Sequence, residues 1–155
     1  MNYPNMLALA GLVAIGFTFT ASADEKRAVE ADKHSGMHME CAKACNDCQR
    51  ECDDCVLHCT EMLVAGKKEH ARILGTCNDC ANLCSVAAQI VARQGPMSMT
   101  ICDACAKACN TCAATCEKFP DDEQMKRCAL ECRKCEKACR EMLKHVEFGT
   151  TSDGK

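Results

Sequence analysis

Tryptophan is absent, tyrosine occurs once, and beyond residue 23 only six leucines, three isoleucines and two phenylalanines remain. That is too little hydrocarbon to fill the interior of a 155-residue chain in the ordinary way. Charge of one sign is not in excess either. Acidic and basic side chains, 22 against 19, are interspersed and leave a net charge of -3, which excludes the basic footprint of a nucleic-acid binder. Apart from thiols and scattered histidines there is no nucleophile–base or acid–base constellation, so an enzyme is not expected.

What the chain has instead is cysteine. Eighteen of its residues are Cys, a share that signals either a disulfide scaffold or a metal-binding protein. With so few large apolar side chains, cysteine has to be core material.

Residues 6 to 20, MLALAGLVAIGFTFT, form an uncharged apolar run of fifteen, followed by Ala21-Ser22-Ala23. The run is short for a membrane span and reads as a secretory signal cleaved after Ala23, although the segment before it holds no Lys or Arg. The expected layout is a signal peptide over 1–23, a flexible lead-in over 24–36, a Cys-rich bundle over 37–147 and a flexible tail over 148–155. Export to the periplasm follows from that reading, with no membrane association once the leader is removed.

The cysteines fall into four groups: Cys41, Cys45, Cys48, Cys52, Cys55 and Cys59; Cys77, Cys80 and Cys84; Cys102, Cys105, Cys109, Cys112 and Cys116; Cys128, Cys132, Cys135 and Cys139. Within each group the steps alternate between three and four, which is the seam of a helix and not the period of a strand. Apolar residues continue the same registers, Met125, Met142 and Val146 in the fourth group and Ile73, Ala87 and Val91 in the second. Gly66, Gly95-Pro96 and Phe119-Pro120-Asp121 punctuate the helices, and Asp121 to Gln124 has capping-box spacing. Short connections favour antiparallel neighbours. The expected fold is therefore all-α, an antiparallel up-down-up-down four-helix bundle with a cysteine-lined core, its helices near 38–65, 68–94, 97–118 and 121–147.

Six seam positions over eighteen steps span about 27 Å of helix, so the stripe of thiols runs most of the bundle's length. Disulfide staples suit an exported protein, yet four long helices need few bridges, and staples usually sit in loops. Zinc takes closed, separate sets of four ligands, and a continuous ladder offers no such grouping. Iron–sulfur clusters take loop-borne C-x-x-C-x-x-C ligands. Soft Cu(I) prefers thiolate and thioether, and cysteines at i and i+4 on one face give it a string of equivalent sites, so multiple Cu(I) ions per chain are expected. Eighteen buried thiolates without cations would be prohibitive, so each ion displaces protons as it binds.

At one end of such a bundle stand Met37, His38 and Met39, with Met97, Met99, Met142 and His145. Thioether and imidazole there would hold copper more loosely than the thiolates, so this end reads as the mouth. The other end, with Met62, His70, Ile73, Phe119 and Met125, reads as a plug. His58 reads as a flank residue beside the seam and His34 as part of the lead-in.

CAKACNDCQRECDDCVLHC, CNDCANLC, CDACAKACNTCAATC and CALECRKCEKAC make residues 37 to 147 resemble the bacterial copper storage proteins. The resemblance implies Cu(I) stored inside the bundle, all eighteen cysteines as its lining, Met37, His38 and Met39 at the opening, and a homo-oligomer. Two other readings stay open: a delivery or detoxification partner exchanging copper with a donor or acceptor protein, and a disulfide-stapled thiol redox or structural protein.

Overall fold

The computed structural model describes residues 22–147, with the side chains of 145–147 excepted; the expected leader to residue 21 and the tail from residue 148 lie outside the described residues. Four helices follow in order, α1 (Ala23–Val64), α2 (His70–Ala92), α3 (Ser98–Cys116) and α4 (Glu123–Glu147), and no strand occurs among the described residues. Each packs on two neighbours around a square: α1 on α2 and α4, α3 on α2 and α4. This is the expected antiparallel bundle.

The helix stops are set locally. Gly66 takes a left-handed φ of 86°; its N–H reaches the Leu63 carbonyl and the Lys67 N–H reaches Met62, both at 2.9 Å. That is a Schellman cap, which needs the left-handed residue. The end of α2 repeats it with Gln94, φ 52°, as Gln94 bonds to Val91 at 2.9 Å and Gly95 to Ile90 at 3.0 Å. The left-handed position is thus one residue before the expected Gly95. Gly95 serves close approach instead, since a Cβ there would meet the Ile90 side chain and carbonyl at 3.3 Å.

Two expectations shift at helix starts. The α1 helix begins at Ala23, fifteen residues before the expected 38, because Ser22 accepts the Glu25 N–H at 3.3 Å and Asp24 and Glu25 occupy the first turn, where acidic groups favour helix. Residues 24–36 thus continue α1 as a largely exposed helix, His34 included. The cap of α4 is Asp122 and not Asp121: its Oδ1 accepts the N–H groups of Gln124 at 3.0 Å and Met125 at 3.1 Å.

Inside, sulfur replaces hydrocarbon. All eighteen cysteines are at most 1% exposed, and their buried apolar company is seven alanines with Ile73, Val91, Met125 and Met142. Small residues such as Ala42, Ala81, Ala106 and Ala113 let the helices close on one another. Outside, Arg133 ties α3 to α4, donating to both oxygens of Glu117 at 2.8 and 2.9 Å and to Asn110 at 2.6 Å.

Candidate metal centre

The ladder's sulfurs meet in every direction across the bundle. Between neighbouring helices, Cys77 Sγ lies 3.4 Å from Cys55 and 3.6 Å from Cys112, while Cys132 lies 3.6 Å from both Cys48 and Cys52. Between diagonal helices, Cys41 approaches Cys102 at 3.9 Å, Cys45 approaches Cys105 at 4.0 Å, and Cys84 approaches Cys135 at 4.0 Å. Diagonal contact means that the thiols of all four helices reach the axis.

They gather in fours. Cys45, Cys105, Cys135 and Cys139 form one group; Cys48, Cys80, Cys84 and Cys109 a second; Cys48, Cys52, Cys80 and Cys132 a third; Cys52, Cys112, Cys128 and Cys132 a fourth; Cys55, Cys77, Cys116 and Cys128 a fifth. Within each, the sulfurs lie within 4.8 Å of one another. An ion with metal–sulfur bonds of about 2.3 Å joins sulfurs up to about 4.6 Å apart, so each group converges on a metal after small movements. The ladder expected to lack four-sulfur groupings has them, and the case against zinc rests on sharing. Cys48, Cys52, Cys80, Cys128 and Cys132 each belong to at least two groups, so the sets cannot all close independently. Overlapping sets suit a chain of linked ions.

Protons are shared unevenly along the ladder. Hydrogen bonds with Cys112, Cys128, Cys48 and Cys52, and then burial, push the Cys132 thiol up; Cys105, Cys109, Cys139 and Cys45 do the same to Cys135. Against a lowering hydrogen bond from Cys139, the contact with Cys41 and burial push Cys102 up to about 12. Hydrogen bonds with neighbouring thiols, Cys109 first for each, move Cys48 and Cys105 down.

At the expected mouth, Met37 packs half-buried against the core, His38 donates its Nδ1–H to the His34 carbonyl at 2.7 Å, and Met39 and Met97 are exposed. An open cleft of about 250 Å³ between α1 and α4 is lined by Met37, Glu40 and Cys41 from one side and Lys134, Lys137 and Ala138 from the other. Met142, expected among the exchangeable ligands here, is fully buried and closes the core.

The opposite end holds what the sequence reading missed. His58 is not simply a flank residue: its Nε2 lies 2.8 Å from Asp122 Oδ2, bridging α1 to the cap of α4. His70 is 3% exposed, with its ring 6.1 Å from that of His58 and 5.2 Å from that of Phe119. The signal was available, because His70 stands three residues before Ile73 and seven before Cys77, in the seam register of α2.

The family described as Csp, copper storage protein, matches residues 34–144. The chain belongs to the copper storage protein family. Among solved structures it is similar to a Cu(I)-bound copper storage protein, BsCsp3, at 30% identity and a TM-score of 0.61, over 66% of this chain and 94% of that one. It is also similar to a cytosolic copper storage protein from Streptomyces lividans, described in a study of copper loading with five coppers, at 25% identity and a TM-score of 0.67, over 73% of this chain and 97% of that one. No curated protein matches. One expectation is corrected by these relatives. The periplasmic export read from residues 1–23 is overturned by the Streptomyces lividans member of the family, which is described as cytosolic; the apolar run that suggested it lacks the basic residues a secretory leader carries ahead of its apolar core.

Proposed function

We propose that this bundle stores many Cu(I) ions per chain on the thiolates of its eighteen cysteines, with Met37, His38 and Met39 as the loose outer ligands that pass copper to Cys41. The overlapping four-sulfur groups carry this reading. Repetition of equivalent sulfur sites multiplies capacity, and nothing in a core lined by thiols sets up an acid–base reaction, so the protein is a store and not a catalyst.

Binding exchanges protons for copper, since thiolates are the ligands and the resting core is largely thiol. Neighbouring sulfurs at 3.4 to 4.0 Å support stepwise filling, each ion drawing on thiolates its neighbours also use. Copper reaches the protein from a donor and leaves it to an acceptor, and the bundle works as a homo-oligomer.

Anaerobic titration of the reduced protein with Cu(I) against a competing chelator, with free thiols counted in parallel, tests the reading. Uptake comparable to the eighteen thiols is expected. Tight uptake of only one or two ions would sink it.

A further inference from the structure

His70 is enclosed, at 3% exposure, yet neither ring nitrogen has a hydrogen-bond partner. The Glu69 carboxylate, 3.9 Å from Nδ1, is too far to supply one. A buried imidazole stripped of water and given no partner is an anomaly, since among the described residues no other buried side-chain nitrogen or oxygen lacks one. It sits beside a second imidazole of the reverse kind. His58 has one nitrogen committed, Nε2 to Asp122 at 2.8 Å, and Asp122 is itself held by two backbone N–H groups at its other oxygen. A histidine whose far nitrogen is fixed by an anchored carboxylate is the usual arrangement of a metal-ligating histidine, because the carboxylate sets the ring's orientation and raises the basicity of the nitrogen left free.

We propose that His58, through Nδ1, and His70 together hold one Cu(I) ion at the loop end of the bundle, with Asp122 as the positioning residue for His58. The distance fits. With a metal–nitrogen bond of about 2.0 Å and a ring centre about 1.2 Å behind the nitrogen, two imidazoles on one ion have centres about 6.4 Å apart when the ion is linear and about 5.2 Å when it is tetrahedral. The observed 6.1 Å lies between these, nearer the linear limit, and two-coordinate Cu(I) favours the linear arrangement. An interplanar angle of 70° suits two rings turned about a common axis. Solvent reaches this corner through an open cleft of about 390 Å³ lined by His70, Phe119, Asp121 and Asp122.

The end read from the sequence as a plug thereby becomes a second station for copper, next to Cys59 at the foot of the α1 ladder. The choice of Cu(I) rests on the storage reading; the pairing of the two rings rests on their geometry alone.

The test is long-range proton–nitrogen NMR of the histidine rings in the ¹⁵N-labelled, reduced full chain, titrated anaerobically with Cu(I) while free thiols are counted. The expected result is that the His70 nitrogen and His58 Nδ1 shift together, at the same added equivalent. His70→Phe, which assigns the signal and keeps a ring against Phe119, should lower the full copper count by one ion with the number of thiols consumed unchanged. Ring nitrogens of His70 that keep their metal-free shifts after all thiols are consumed overturn the site and leave the store intact. Thiols that take up no copper overturn the store, and a joint shift of both rings in that case would still support the two-imidazole site. Because the shifts are read in the unsubstituted protein, a variant that fails to fold does not stall the test.

Discussion

Cys55 Sγ and Cys77 Sγ approach to 3.4 Å across the α1–α2 interface. A disulfide needs about 2.05 Å, so a small movement joins them. Mild oxidation of the copper-free protein should therefore form a Cys55–Cys77 bridge early, visible in non-reducing peptide mapping, and lower copper uptake. Appearance of other pairs first, with Cys55 and Cys77 still free, would contradict this. Loading with Cu(I) beforehand should protect both thiols.

Cys132 belongs to at least two four-sulfur groups, whereas Cys102 meets the ladder at its margin through Cys41. Cys132→Ala should remove about two tightly held ions and Cys102→Ala about one, measured by chelator competition. Each should cost the copper-free fold about 1 kcal/mol by chemical denaturation, the usual scale of a small core deletion. Equal losses of copper would show that sharing does not matter.

Twelve core thiols are pushed above the ordinary value of 9.0 and six below it. For a raised thiol the folded state keeps its proton where the unfolded chain has lost it, so its stabilising effect is complete below about pH 9 and disappears as pH rises toward the folded value. The copper-free protein should show a melting temperature that falls above about pH 9. Copper affinity should move the other way, rising with pH as proton competition fades. A copper-free melting temperature that climbs through pH 10 would refute the first expectation.

Asp122 both caps α4 and holds His58. Burial works against ionisation of its carboxyl, but the His58 hydrogen bond and the backbone N–H bonds outweigh it and hold the group below its ordinary 3.8. Its contribution is therefore present above about pH 4 and fades as pH falls through the depressed value. Asp122→Ala should lower stability by about 1 to 2 kcal/mol, the scale of a lost helix cap. Asp122→Asn should keep most of the cap and lose the acid dependence. Matched denaturation curves at pH 3 and pH 7 separate the two.

The bundle was legible because cysteine marked its own seam: steps of three and four assigned all four inner stripes, and every marked thiol is buried. Helix ends were less legible, since they depend on particular hydrogen bonds. Asp121 and Asp122 are equivalent in spacing until the chain chooses which carboxylate meets Gln124 and Met125. Gln94 carries no sign of its left-handed φ in its residue type. The start of α1 was missed because polar residues without a partner helix have no seam to read, while Ser22 and the acidic first turn suffice to begin a helix. At the site, which sulfurs form fours depends on how α1 to α4 are staggered, a property of pairs of helices that a single stripe does not contain. His70 had the seam position, but a lone histidine in an apolar register gives no hint that His58 stands opposite.

The sulfurs of α1 and α3 touch across the axis at 3.9 and 4.0 Å, so no open channel separates the two helices at these levels. A sulfur–metal–sulfur line with bonds of about 2.3 Å spans about 4.6 Å, wider than the present contacts. Copper therefore enters as a wedge: every ion that joins two facing sulfurs in line forces them outward by a fraction of an ångström, and the girth of the bundle becomes a gauge of how much it carries.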